Sequence, residues 1–79
     1  MTNPINIGFG TKYWVNEAGN YHRDGDLPTI EYTNGTKVWY KNGKLHRENG
    51  LPAREYFDGD KVWYLDGLIY RWDEWIYKL

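Results

Sequence analysis

A motif that returns with a period of 24 constrains this chain more than any other feature. His22-Arg23 recurs as His46-Arg47, and in altered form as Tyr70-Arg71. Leu27-Pro28 recurs as Leu51-Pro52, and Glu31-Tyr32 as Glu55-Tyr56. Gly35-Thr36-Lys37-Val38-Trp39-Tyr40 recurs as Gly59-Asp60-Lys61-Val62-Trp63-Tyr64, and Asn42-Gly43 as Asp66-Gly67. An earlier copy starts at Gly10-Thr11-Lys12-Tyr13-Trp14. Its distance from Gly35-Thr36-Lys37-Val38-Trp39 is one position longer than the period, whereas Gly19 to Gly43 keeps the period. The inserted residue therefore falls in Val15-Asn16-Glu17-Ala18, where a turn tolerates it. Inside a strand a one-residue slip would invert the faces.

The unit reads as β-hairpins. Asn34-Gly35, Asn42-Gly43, Asp58-Gly59 and Asp66-Gly67 are pairs that accept positive φ at both central turn positions. The segments between them are rich in Thr, Val, Ile, Tyr and Trp, which suit pleated surfaces. Strands are expected near 11–16, 20–23, 29–33, 36–41, 44–47, 53–57, 60–65 and 68–71. Pro28 and Pro52 cannot donate to a ladder and mark strand entries or edges. The predicted fold is an all-β antiparallel meander, one domain over 1–79 with units 10–34, 35–58 and 59–71. Both faces of the strand around Trp39 carry an aromatic, Val38 and Tyr40 on one side and Trp39 on the other. This points to units stacked with Lys stems over Trp rings. A stacking platform for a ligand is the competing reading of the Trp stripe.

Beyond Arg71 the repeat stops. Trp72, Trp75, Ile76 and Leu79 fall at helical spacing, with acids first and Lys78 last, so a short helical cap over 72–79 is expected. A strand is the alternative for so short a segment.

Composition then narrows function. A domain of 79 residues buries a modest core, and without cysteine it has no disulfide to reinforce it. Five Trp, eight Tyr and two Phe supply apolar area instead. The charge of −1, with no basic block, argues against duplex nucleic acid as a partner. No segment approaches the length of a transmembrane span, and Met1–Asn6 lacks the regions of a signal peptide, so a cytoplasmic location is expected. Cys and Ser are both absent, the glycines are spaced as turns, and the acids flank turns. No nucleophilic triad, phosphate loop or acid pair stands out, and the expectation is a chain that is not an enzyme. No metal or cofactor is expected either. Two histidines do not make a structural site, and Asp24-Gly25-Asp26 offers too few ligands for Ca²⁺.

The segment Val38-Trp39-Tyr40-Lys41-Asn42-Gly43-Lys44-Leu45-His46-Arg47-Glu48-Asn49-Gly50-Leu51-Pro52-Ala53 resembles a repeat of small bacteriophage and large-DNA-virus proteins. That repeat reads Trp-Tyr-x-Asn-Gly-x-x-His-Arg-x-x-Gly-x-Pro-Ala. More distantly, the segment is similar to MORN repeats, which are β-hairpin units. The likeness covers residues 10–71. His-Arg stands where MORN units usually have His-Gly, and the proline is additional. The resemblance implies a virus-encoded accessory protein that inhibits or modulates a host protein, such as a defence enzyme. It also leaves room for an oligomeric protein that sequesters a nucleotide signal, and for a structural part of a virion or membrane-associated assembly.

Two sets of residues are candidates for binding. Tyr13, Tyr21, Phe57, Trp72, Trp75 and Tyr77 lie outside the repeated motif and would form a surface for a host protein. His22, Arg23, Trp39, Tyr40, His46 and Arg47 could line a site for a small nucleotide ligand, the guanidinium taking phosphate and the rings stacking on a base. The alternative for the His-Arg pairs is structural: His bonds a turn backbone, and Arg pairs with Glu31 or Glu55 across strands. An open sheet also has unpaired edges, so a homodimer or larger homo-oligomer, or an edge covered by a partner, is expected.

Overall fold

The structure, a computed structural model, describes residues 5–6 and 10–70, with side chains for 10–69. Nine short strands run in chain order: β1 (Ile5–Asn6), β2 (Lys12–Tyr13), β3 (Ile30–Glu31), β4 (Lys37–Val38), β5 (Tyr40–Lys41), β6 (Lys44–Leu45), β7 (Arg54–Glu55), β8 (Lys61–Leu65) and β9 (Leu68–Tyr70). All pairings are antiparallel. One sheet has the order β1-β2-β3-β4-β7-β8-β9, and β5-β6 is a separate hairpin. No helix occurs among the described residues, and none there is long and apolar enough to cross a membrane. The expected helical cap at 72–79 lies outside the described residues.

Each of two tryptophans marks the point where a strand changes partners. Trp39 donates its N–H to Ala53 O, on the β7 side, and its carbonyl accepts from His46 N, on the β6 side. Trp14 does the same with Thr29 O and His22 N. The first half of the strand thus belongs to the large sheet and the second half to a local hairpin. The Thr29 hydroxyl accepts from Tyr40 N at 2.8 Å and donates to Tyr40 O at 3.1 Å, filling the backbone groups beyond the changeover.

The turns divide into two kinds, which corrects the expectation of one. Asn42-Gly43 and Asp66-Gly67 have both residues at positive φ, as a two-residue hairpin turn requires. At Asn34-Gly35 and Asp58-Gly59 only the glycine does. There Gly35 N bonds Tyr32 O and Gly59 N bonds Tyr56 O, while the Asn34 and Asp58 side chains accept from the backbone two residues on. This is a three-residue loop, a tight turn closed by one left-handed glycine. Glu17-Ala18-Gly19 is a loop of the same kind, with Gly19 N bonded to Asn16 O. The extra residue of the first copy is the step from a two- to a three-residue loop, and the facing survives it: Val15 pairs with Tyr21 as Tyr40 pairs with Leu45 and Tyr64 with Ile69.

Register gives the sheet two unlike faces. Tyr13, Ile30, Val38, Arg54 and Val62 stand opposite one another in one row. Lys12, Glu31, Lys37, Glu55 and Lys61 form the adjoining row on the other face, with signs that alternate strand by strand. Each such cross-strand pair contributes on the order of 0.2–1 kcal/mol, and a register slip would lose the whole set. Trp14, Ile30, Val38, Trp39 and Ala53 are the buried apolar residues, joined by Pro28, Thr29, Thr36 and Pro52.

Candidate interaction surfaces

On the tryptophan side an arginine lies flat on each of two indoles. The Arg23 guanidinium is 3.5 Å from the Trp14 ring and that of Arg47 is 3.8 Å from Trp39. Arginine, not lysine, covers the rings, because its plane can stack while its edge still donates. Arg23 Nη1 donates to Pro28 O at 3.0 Å and to Glu31 at 3.1 Å. Arg47 Nη1 repeats this with Pro52 O and Glu55, both at 3.1 Å. Arg47 also reaches the preceding unit, where Nε and Nη2 grip the Asp26 carboxylate at 3.0 and 3.3 Å. The indoles join in: Trp39 Nε1 donates to Asp26 O and, one period further on, Trp63 Nε1 donates to Gly50 O.

The histidines tie hairpin to hairpin. His22 Nδ1 accepts from Asn42 N at 3.1 Å and His46 Nδ1 from Asp66 N at 3.0 Å. Nδ1 is therefore unprotonated, and Nε2–H is left to face Asp24 and Glu48 at 2.9 and 3.4 Å. The acceptance also satisfies an N–H at a left-handed turn residue. Glu48 receives Lys41 Nζ at 3.2 Å as well. That ammonium, followed by the His46 ring, holds the Glu48 carboxyl below its ordinary value.

His22, Arg23, Trp39, Tyr40, His46 and Arg47 are thus brought together, and they line one cavity of about 190 Å³ with Asp24, Asp26, Lys41 and Glu48. Its cations are already matched by carboxylates. A phosphate entering it would have to displace Asp26 from Arg47, or Glu48 from Lys41. Among the described residues no group of three or more His, Cys, Asp or Glu could hold a metal ion.

The other face is built differently. Tyr13 meets Tyr21 edge-on at 5.6 Å between ring centres, and Tyr21 meets Tyr40 at 5.0 Å. Alternation along β8 puts Tyr64 on the side of Val62 and hence of Arg54. Tyr13, Tyr21, Tyr40 and Tyr64 are half-buried, while Tyr56 and Ile69 are exposed. Arg54 stands in this row between Val38 and Val62. Its Nη1 donates to the Tyr56 hydroxyl at 3.1 Å, and its Nε is buried with no acceptor among the described residues. The Tyr56 hydroxyl pushes the guanidinium further above its ordinary value against the opposing effect of burial, and the Tyr64 and Tyr40 phenols are near enough to add to it.

The residues expected to contact a host protein are therefore divided. Tyr13 and Tyr21 belong to the tyrosine face. Phe57 is 66% exposed beside the Gly35 turn, its N–H held by the Thr36 hydroxyl, away from that cluster. Trp72, Trp75 and Tyr77 lie outside the described residues. Arg54, Tyr56 and Tyr64 were not singled out from sequence. The signal for Arg54 is present: it occupies the place that Ile30 holds one period earlier, just before the matched Glu31-Tyr32 and Glu55-Tyr56.

Compared with models of protein families, with curated proteins and with solved structures, the chain shows no significant match to any of them.

Proposed function

We propose that this chain is a non-catalytic binding module that acts by protein–protein interaction, and that its working surface is the tyrosine face. The observation that supports this is the contrast in satisfaction between the two faces. The His-Arg side spends its donors and acceptors on its own framework, whereas the tyrosine side presents a row of half-buried phenols around a guanidinium with an unused donor. Tyrosine and arginine together are frequent anchors at protein interfaces, because rigid rings cover area at low entropic cost and keep a polar edge. The resemblance to repeat proteins of bacteriophages and large DNA viruses supports a host protein as the partner and inhibition or modulation as the outcome.

The test is affinity capture from host lysate with the full chain and two variants. The partner is expected to be lost with Tyr40→Ala and kept with Phe57→Ala, which lies off the face. Equal capture by the two variants would refute the assignment of the surface.

A second reading, sequestration of a small nucleotide, is favoured by the cavity that gathers Arg23, Arg47, His22, His46, Trp39 and Tyr40. Thermal-shift titration with cyclic and adenosine nucleotides tests it. A saturable rise in Tm that Arg47→Lys removes would support it, and no shift at saturating nucleotide would exclude it.

A further inference from the structure

Arg54 is the one charged member of the row Tyr13, Ile30, Val38, Arg54 and Val62. The preceding unit fills the same place with Ile30, which is 5% exposed. The framework thus accommodates an apolar side chain here, and the charge serves something else. Arg23 and Arg47 each have an indole, a carbonyl and at least one carboxylate. Among the described residues Arg54 has one phenol hydroxyl and, at a looser 5.9 Å, the ring of the same Tyr56. Its cross-strand neighbours are valines, and Glu31 and Glu55, acids of neighbouring positions in the sheet, alternate to the opposite face. A buried donor with an unmade bond is destabilising, so the position is held against a penalty. Among the described residues no acceptor in the sheet removes it. The surrounding rings lower the local dielectric, which strengthens a charge-assisted hydrogen bond to an incoming anion. Nη2 has no partner among the described residues and is not one of the buried atoms, so it is the guanidinium nitrogen that an incoming carboxylate meets first.

We propose that Arg54 is the anchor for an Asp or Glu side chain carried by a protein segment that lies across the tyrosine face. This rests on the reading of that face given above and adds the chemistry of the partner: one acidic side chain flanked by apolar ones that pack on Tyr40 and Tyr64.

The test selects random peptides on the immobilised full-length chain. Winners are then synthesised with each acid as itself and as its amide, and titrated by fluorescence anisotropy. The expected winners share one Asp or Glu at a fixed position, and the amide version binds about tenfold more weakly or worse. Arg54→Ile should erase that difference, so that acid and amide bind alike, while its own Tm rises because it restores the residue of the preceding unit. Arg54→Lys should keep part of the preference, since it retains the charge without the fork. Binders that need Tyr40 but show no acid preference would overturn the anchor and leave the binding face standing. A fall in Tm for Arg54→Ile would also overturn it, by making Arg54 part of the framework. If no binder depends on Tyr40, the face itself fails and the anchor with it.

Discussion

Two arginines one face apart, Arg47 and Arg54, show how this small sheet separates holding itself together from being available. Arg47 lies on Trp39 and uses Nε, Nη1 and Nη2 on Asp26, Pro52 O and Glu55, which ties two units and a loop to one side chain. Arg54, at the start of β7 and facing the other way, makes one hydrogen bond among the described residues, to a phenol. The two differ in how many donors they already use on described residues, and neither repetition nor solvent access reveals that difference.

Removing Arg47 should break the comparison most severely. Arg47→Ala leaves Asp26 and Glu55 without their cation and uncovers the Trp39 ring. The lost charged bond to Pro52 O costs about 1.5–3 kcal/mol, and the pairs to the partly exposed Asp26 and Glu55 add up to about 1 kcal/mol each, together a large share of what a domain this size has. Urea unfolding should show the midpoint falling steeply, and a loss under about 1 kcal/mol would mean the network is a surface decoration. Trp39→Phe is expected to be milder. It keeps a ring for Arg47 to cover but loses the Nε1–H bond to Asp26 O, a cost of about 1–2 kcal/mol in the same measurement. Glycines sharpen the picture at still finer scale. Gly43 and Gly59 both have left-handed φ, 84° and 97°. An added Cβ at Gly43 meets Asn20 Cβ at 3.4 Å, whereas at Gly59 it meets nothing. Alanine at either site strains the backbone by about 1–2 kcal/mol. Gly43→Ala should cost slightly more, because that turn is also docked on the preceding hairpin through its N–H bond to Tyr21 O.

Most of the fold was legible because the repeat repeats its physics. The spacing of Trp, Asn-Gly and Leu-Pro placed most of the strands and the inserted residue, although 20–23 makes only the Tyr21 bridge, 36–41 divides at Trp39 and β1 was not foreseen. The Glu31 and Glu55 partners of the arginines follow from their offsets. Two things were hidden. A turn type depends on whether the residue before glycine is left-handed, and Asn or Asp can be either. At Asn34 and Asp58 the side chain capping the following backbone settles it. The second is facing. Val38 and Trp39 are adjacent and both buried, so hydropathy did not say which side was closed. Arg54 became visible as an anomaly only once cross-strand register put it in a row with Ile30, Val38 and Val62.

The gentlest probe of the closed face is a carboxyl on its rim. Glu48 is exposed, yet its carboxyl is held below its ordinary value of 4.5, first by the Lys41 ammonium and then by the His46 ring. A depressed folded-state value means that its contribution to stability is fully present above the unfolded value. That contribution is lost as pH falls through the folded one. Stability should therefore decline slightly below about pH 4.5, where solvent screening keeps the effect small. Lys41→Met should move the Glu48 titration, followed by carboxyl-detected NMR, upward towards the ordinary value but not all the way, because His46 still faces it at 3.4 Å. A full return would show that the histidine contributes nothing to the rim, and no movement would show that the lysine contact does not persist in solution. Either result would take one contact off the rim and leave the closed face to Arg23, Arg47, the indoles and the histidine Nδ1 bonds, with the contrast to Arg54 unchanged.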